Sequence, residues 1–296
     1  MISLTPENAP AAICAHVQTP MGIDDVQTAA AGIVELADET MANAARVHGI
    51  ELGHDISSFD LLVTGGGGAL HAARIAEKLD IARIIVPQNA GVGSAVGFLR
   101  SPVAFEAAIS LMEPLADIDA TALSDRVTTQ IAHVRAIVEE AVPADRILTT
   151  AKIEMRYQGQ GLEIVLEQAA DADFAIDPAQ LEAEFITRYR SLVGFTLKDI
   201  PLDLVSVSVT ARENRSLGTP PVTPGAQPGA PALRQVFDLG EKEHIAYRVL
   251  DRACVGRDVT QGPAIVTEDQ TTTLVRPGWS VHASDAGHLV LERHAP

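Results

Sequence analysis

The chain has 296 residues, of which 47% are hydrophobic and 21% charged, and its formal net charge at pH 7 is −17. This length and composition indicate a globular protein of about two domains with their own cores, and they exclude a largely disordered chain. The acidic charge argues against a surface for nucleic acid or for an anionic membrane, because such surfaces need clustered Lys and Arg.

The sequence contains two cysteines, Cys14 and Cys254, which are far apart and form no C-x-x-C pair. They indicate neither a disulfide framework nor a zinc ribbon. Residues 1–7 lack the basic region and apolar core of a secretory signal, and no apolar run reaches the length of a membrane span. We therefore expect a cytoplasmic protein without a membrane segment.

Residues 1–102 follow the order helix, strand, helix, strand. Apolar residues recur at helical spacing over 23–47 and predict a long amphipathic helix. A short apolar strand then runs through four glycines into a second helix over 69–79, and a second strand follows over 82–86. This order predicts two parallel strands joined by a helical crossover.

The rest of the chain divides at a segment rich in proline and glycine, 216–232, which we interpret as a linker. Residues 103–215 before it alternate helices with strands and predict an α+β region, which includes a hairpin turn at 158–161. Residues 233–296 after it break into short pieces rich in β-forming residues. They predict a small all-β C-terminal region.

The strand-to-helix turn at Gly65, Gly66, Gly67 and Gly68 is the strongest candidate for a site. Glycines let a ligand or another backbone approach the main chain closely, and the next helix begins with free N–H groups at the positive end of its dipole. A phosphate-binding P-loop would need Lys followed by Ser or Thr where Ala69 stands. A dinucleotide-binding turn would need a third glycine and a later acidic residue, and both are missing.

Two interpretations of the turn remain. Turn chemistry by itself favours a close-packed crossing of strand and helix, and the alternative is the adenosine-side loop of another nucleotide-binding fold. His71 could reach a ligand at this loop, although a buried and hydrogen-bonded histidine is the more usual outcome. The nine histidines form no H-x-x-x-H pair and no serine lies in a nucleophile elbow, so the sequence identifies no catalytic residue and no metal site, and it carries no biotin-type lysine motif.

Residues 59–72 resemble the pattern F-x-L-V-x-F-G-G-A-G-P-L-H-A of the hydantoinase A and 5-oxoprolinase family, which includes subunits of acetone and acetophenone carboxylases. Four further blocks fall in the order of that family, at 30–46, 85–97, 155–161 and 262–279. The resemblance extends over nearly the whole chain. It is a resemblance to the C-terminal half of such a subunit only.

The resemblance implies an α/β fold, α+β overall. We expect a partial actin/Hsp70-like ATPase lobe, followed by the α+β region and the small all-β region. Members of the family carry D-x-G-G-T turns that hold phosphates in their N-terminal half, and this sequence has no such turn. The chain is therefore not expected to be active alone.

The resemblance further implies a split or accessory subunit of an ATP-dependent hydantoinase or ketone carboxylase complex. The four glycines, with Leu70 and His71, would form the adenosine side of a nucleotide site. A partner chain with D-x-G-G-T turns would supply the phosphate loops and Mg²⁺ in a hetero-oligomer. The alternative is a non-catalytic assembly or regulatory subunit that keeps only the scaffold. The substrate (a hydantoin, a lactam, oxoproline or a ketone) and the choice between hydrolysis and carboxylation stay open.

Three positions depart from the family pattern. Ala69 replaces a proline, Thr64 replaces an aromatic residue, and Gly93 replaces a bulky residue. Each change loosens the loop. Together they indicate either a relaxed adenine pocket or a subunit in which only the scaffold is kept.

Overall fold

The computed structural model describes residues 5–171, 173–215, 232–238 and 240–294. They fall into two compact units: residues 5–99 with 232–294 form the first unit, and residues 100–215 form the second. The linker predicted at 216–232 lies, apart from its last residue, outside the described residues.

The helices of the described part of the chain lie mainly where the periodicity predicts them. The first long one begins after Asp25, whose side chain accepts a hydrogen bond from the backbone N–H of Thr28 at 2.8 Å and so caps the helix. A single π-helical turn, Cys14–Gln18, separates the two short N-terminal helices. The α-helices are α1 Ala9–Ile13, α2 Thr19–Met21, α3 Val26–Glu51, α4 Gly68–Leu79, α5 Gly93–Arg100, α6 Ala120–Glu139 and α7 Pro178–Val193.

The strands form three sheets. In chain order they are β1 Leu61–Leu62, β2 Arg83–Val86, β3 Ala104–Pro114, β4 Ile147–Tyr157, β5 Ile164–Ala169, β6 Leu202–Glu213, β7 Ala232–Asp238, β8 Glu243–Asp251, β9 Thr260–Gln261, β10 Ala264–Thr267, β11 Thr272–Val275, β12 Trp279–Ala283 and β13 Leu289–Arg293. The first sheet has the order β1-β2-β13-β12-β9, the second β11-β10-β8-β7 and the third β3-β6-β4-β5.

The first sheet contains the predicted crossover, because β1 and β2 pair in parallel and α4 joins them. Three strands of the C-terminal region, β13, β12 and β9, extend this sheet. Strand β13 pairs antiparallel with β2, so that Leu289 faces Val86 and Leu291 faces Ile84. All four side chains are buried, and these cross-strand apolar pairs explain why β13 joins β2.

Helix α4 packs between neighbours within the first unit and carries the candidate loop at its start. It contacts β2, β11 and α3. Its buried face consists of small residues, Ala69, Ala72, Ala73 and Ala76, which join the same hydrophobic cluster as Trp279 of β12. Because alanines project little, the helix axis lies close to its neighbours, and the N-terminus of α4 is fixed relative to β2.

Helix α3 is present as predicted, but the residues that predict it do not lie on its buried face. That face carries Asp38 and Ala42 and, toward the end of the helix, Gly49, which packs against His54 and Ile56. Ile33 and Leu36 on the other side are exposed. A hydrophobic repeat shows that a helix forms, but it does not show which neighbour covers each side. An apolar side of α3 therefore faces outward in this chain.

The second unit is a four-stranded antiparallel sheet covered by α6 and α7. Strands β4 and β5 pair as the predicted hairpin. Asp119 and Asp177 cap the two helices by accepting backbone hydrogen bonds, and Gly194, with φ of 88°, ends α7. Mixed α/β units with these sheets confirm the predicted fold class, α/β and α+β overall.

Candidate functional site

The loop between β1 and α4 keeps its shape through backbone contacts. The N–H of Val63 donates to the carbonyl of Ile85 at 2.9 Å, which aligns the start of the loop with β2. Gly65 has φ of 95°, a conformation that side chains with a Cβ rarely adopt. Its N–H donates to the carbonyl of Ala90 at 2.7 Å. Glycine at position 65 is therefore required by the turn itself.

A turn between β10 and β11 closes one side of this loop. The hydroxyl of Thr271 donates to the carbonyl of Gly66 at 3.0 Å. A Cβ at Gly66 would lie 3.4 Å from the carbonyl oxygen of Gln270, and a Cβ at Gly68 would lie 3.0 Å from a methyl carbon of Val63. Gly66 and Gly68 thus serve close packing, in agreement with the first interpretation of the turn.

The opposite side of the loop is open. A Cβ at Gly67 would meet no atom within 4 Å, and Leu70 is exposed. Gly67 is the N-cap residue of α4, and no side chain accepts a hydrogen bond from the first N–H groups of the helix. The open side therefore presents the positive end of the α4 dipole to solvent, which favours polar or anionic groups of a ligand.

His71 lies in the first turn of α4 and pairs with Asp38 of α3. Nδ1 of His71 and Oδ1 of Asp38 share a hydrogen bond of 2.7 Å. The Asp38 side chain is 1% exposed and that of His71 is 30% exposed. Burial raises the pKa of Asp38, and the hydrogen bond from His71 opposes this rise. His71 is thus both hydrogen-bonded and partly accessible.

In addition to the pair of His71 and Asp38, which we call the dyad, ion pairs fix α4 against α3. Nη2 of Arg74 lies 2.8 Å from Oε1 of Glu35, and Nζ of Lys78 lies 2.6 Å from the same oxygen. Lys78 also contacts Glu39 at 2.7 Å. The hydrogen bond from Arg74 lowers the pKa of Glu35 to about 2 although partial burial opposes it, so Glu35 stays ionised at neutral pH.

A second group of charges fixes α4 against the C-terminal strands. Arg276 bridges Glu77 of α4 and Asp238 of β7, and its Nε lies 3.2 Å from Oδ2 of Asp238. Tyr247 donates to Asp238, and Nε1 of Trp279 donates to Glu77 at 3.0 Å. Burial acts to raise the pKa of Asp238, but the hydrogen bonds from Arg276 and Tyr247 outweigh it and lower that pKa to about 2.

No sequence pattern predicted the role of Asp38 or the ion pairs that the buried Arg276 forms with Glu77 and Asp238. Asp38 lies within the 30–46 block, but nothing in the sequence marks it as a partner of His71. Glu77 and Arg276 are 199 positions apart, so no local pattern connects them. The one available signal is that isolated charges stand among apolar residues in α4 and β11–β12, where burial would force them to pair.

A separate cleft of about 700 Å³ lies beyond β2 in the same unit. Gln88 and Asn89 line it, together with Arg252 and Glu268. Arg252 is engaged by Glu268 at 2.9 Å and by the carbonyl of Gly287 at 2.8 Å, so its charge is already satisfied within the protein.

Within the described ranges, no three or more His, Cys, Asp or Glu side chains are grouped to hold a metal ion. None of the helices in those ranges is both long and apolar enough to cross a bilayer. Cys14 and Cys254 carry free thiols.

Adding one methyl group at Gly91 should disturb the packing of this residue against the turn between β10 and β11. A Cβ there would overlap the carbonyl oxygen of Gln270 and lie 2.7 Å from its carbonyl carbon. Because the obstacle is backbone, we expect Gly91→Ala to destabilise the first unit by about 1–3 kcal/mol in urea unfolding. Gly67→Ala is the matched control, since that site is open, and equal effects of the two substitutions would refute the close packing.

Comparison with known proteins shows which family the chain resembles. Residues 2–107 match the family model described as hydantoinase/oxoprolinase. Over 294 residues the chain is 30% identical to caprolactamase subunit alpha of Pseudomonas jessenii. The aligned region covers 95% of this chain and 41% of the relative. The resemblance to the hydantoinase/oxoprolinase family is thereby confirmed.

Two solved structures share the fold. The ATP-dependent caprolactamase of Pseudomonas jessenii matches 99% of this chain with a TM-score of 0.68 and 25% identity. An acetone carboxylase solved without nucleotide matches the same share with a TM-score of 0.66 and 22% identity. The chain covers 43% of each of these structures, and it spans between about one fifth and two fifths of the length of the curated relatives it matches. It is therefore homologous to part of such a subunit.

Proposed function

We propose that this chain is a split or accessory subunit of an ATP-dependent cyclic-amide hydrolase or ketone carboxylase complex, and that it forms the adenosine side of the nucleotide site. The observation that carries the proposal is the open glycine loop at the uncapped N-terminus of α4. It occurs in a chain homologous to enzymes described as ATP-dependent. The residues proposed to form this side of the nucleotide site are Gly65 to Gly68, Leu70 and His71.

The residues of the loop fit the nucleoside better than the triphosphate. The first turn of α4 contains Gly68, Ala69, Leu70 and His71 and no Lys or Arg. A triphosphate carries several negative charges that need cations or many N–H donors. We therefore propose that the phosphate loops and Mg²⁺ come from a partner chain with D-x-G-G-T turns.

Two further features of the first unit support a partner. Strand β1 is two residues long and stands at the edge of its sheet, and Leu62 is exposed. Ile33 and Leu36 of α3 are also exposed. Unpaired strand edges and exposed apolar side chains are typical of surfaces that another segment covers. In a hetero-oligomer, a partner chain would cover both the edge strand β1 and the exposed apolar side of α3.

The alternative function is a non-catalytic assembly or regulatory subunit. The observation that favours it is the packing of Gly66 and Gly68 against neighbouring atoms, together with that of Gly91. Scaffold packing alone would preserve these glycines in a subunit that binds no nucleotide. In that case ATPase activity would persist in the remaining subunits without this chain.

A substitution at Gly67 tests the proposal. A Trp side chain there would fill the open side of the loop without meeting protein atoms at its Cβ, and the φ of −101° suits any residue. We expect Gly67→Trp to weaken binding of a non-hydrolysable ATP analogue to the complex by about 100-fold or more, measured by calorimetry. The bulk at this position excludes the ligand and leaves the fold intact.

Gly161→Trp is the matched control, because its Cβ would also meet nothing within 4 Å and it lies in the other unit. It should leave analogue affinity unchanged. Unchanged affinity in Gly67→Trp, with the complex assembled, would refute the adenosine-side role and favour the scaffold alternative.

A further inference from the structure

We propose that Asp38 is a positioning residue that holds His71 in the tautomer protonated at Nδ1, so that Nε2 accepts a hydrogen bond from the amino group of adenine and selects it over guanine. The inference rests on the proposed nucleotide site. It adds a specificity-determining residue and its positioning partner, neither of which follows from the glycine loop.

The tautomer follows from the chemistry of the pair. We assign the proton between Oδ1 of Asp38 and Nδ1 of His71 to the histidine, because an ionised carboxylate only accepts hydrogen bonds. The 2.7 Å separation is that of a short hydrogen bond, and this bond opposes the rise in the pKa of Asp38 that burial causes. A neutral imidazole with its proton on Nδ1 carries its lone pair on Nε2.

The Nε2 edge of His71 is the accessible one. Asp38 occupies the buried edge, and 30% of the His71 side chain is exposed. No described residue forms a hydrogen bond with Nε2. The ring stands one turn after Gly67, on the helix that begins at the open side of the loop. It therefore offers a fixed hydrogen-bond acceptor beside the proposed nucleoside position.

The position of the acceptor is rigid. Glu35 lies one turn before Asp38 on α3, and it is held by Arg74 and Lys78 of α4 at 2.8 and 2.6 Å. These contacts lock the two helices that carry the dyad. A buried carboxylate–histidine pair is also a costly way to stabilise a helix contact, because desolvation offsets most of its attraction. Stability alone therefore explains the pair poorly.

A fixed acceptor discriminates between purines. Adenine carries an amino group at C6, which donates, whereas guanine carries a carbonyl oxygen there, which accepts. Two acceptors facing each other leave both unsatisfied, and a site of this kind rejects the wrong partner strongly. The dyad thus predicts a preference for ATP over GTP.

The first test is His71→Asn in the complex. Its side-chain amide reaches the position of Nδ1 and still donates to Asp38, so the buried carboxylate keeps a partner while Nε2 is removed. The probes are the β,γ-imido analogues of ATP and GTP. We expect the preference for the ATP analogue to fall about tenfold or more, mainly through weaker ATP-analogue binding.

The second test is spectroscopic and needs no nucleotide. In the complex labelled with ¹⁵N-histidine, the His71 ring nitrogens should show Nδ1 protonated and Nε2 unprotonated. Asp38→Asn should change this pattern, because an amide can donate to Nδ1 and stabilise the other tautomer. It should also reduce the purine preference although His71 is still present. A purely structural role of Asp38 would move neither signal in a folded variant.

The outcomes separate the two proposals. If wild-type complex binds neither analogue, the nucleotide site and this inference fail together. If wild type prefers the ATP analogue and His71→Asn keeps that preference, the inference alone is overturned. A wild-type His71 protonated at Nε2 also overturns it. Thermal unfolding of both variants verifies that they are folded.

Discussion

Replacing Arg276 by methionine should lower the free energy of unfolding of the first unit by about 3–5 kcal/mol. The Arg276 side chain is 7% exposed and bridges Glu77 and Asp238. Methionine keeps much of the apolar volume but removes the cation, so the buried carboxylate of Asp238 loses its arginine and Glu77 keeps only the cation of Arg74. The pKa of Asp238, now held at about 2, would rise. Urea unfolding followed by the fluorescence of Trp279 measures the effect.

Arg257→Met is the matched control for this substitution. Arg257 pairs with Asp285 at 2.8 Å, but the two side chains are 80% and 87% exposed, and pairs of this kind contribute little. We expect its unfolding midpoint to stay close to that of wild type. Equal midpoints for the two variants would show that the buried charges do not stabilise the attachment of α4.

We also expect a large loss of stability in the second unit when Phe185 is replaced by alanine. The Phe185 ring is fully buried, and its centroid lies 5.1 Å from that of Tyr157 and 5.7 Å from that of Tyr189. Truncation leaves a cavity at the contact between α7 and β4, and such changes cost about 3–5 kcal/mol. Amide hydrogen exchange in β4 measures the loss directly.

Phe195→Ala separates this effect from loss of a phenyl ring as such. Phe195 follows α7 and is 56% exposed, so we expect its removal to leave exchange in β4 nearly unchanged. If both variants accelerated exchange alike, the aromatic cluster would not be the core of this unit.

The sequence predicts local structure well where the signal is local. The parallel crossover of β1, α4 and β2 follows from an apolar strand, a glycine turn and a helical repeat within 61–86. The hairpin of β4 and β5 follows from a Gly-rich turn between two apolar runs. In both cases neighbouring residues determine the partner, and the structure confirms these elements.

Partners distant in sequence were not predictable in this way. Strand β13 was predicted as a strand, but nothing in its residues indicates pairing with β2 about 200 positions earlier. The exposed side of α3 has the same cause, since periodicity predicts a stripe and not the surface that covers it. Both properties depend on the three-dimensional fold.

In the candidate site, too, the local turn was predictable from the sequence and the contact between distant residues was not. The sequence predicted the glycine turn, and the structure shows that Gly65 is needed for its φ and Gly68 for tight packing, whereas a Cβ at Gly67 would meet no atom. The contact between Asp38 and His71 could not be predicted, because only the packing of α3 against α4 brings the two residues together. The role of these residues in nucleotide binding stays a prediction.

Photoaffinity labelling with 8-azido-ATP tests the central claim most directly, because the reactive group is on the adenine base. The label is applied to this chain alone and to the complex, and the modified peptide is identified by mass spectrometry. We expect labelling within residues 64–71, strong in the complex and weak or absent in the isolated chain. Labelling confined to the partner, or to a distant part of this chain such as the second unit, would contradict it.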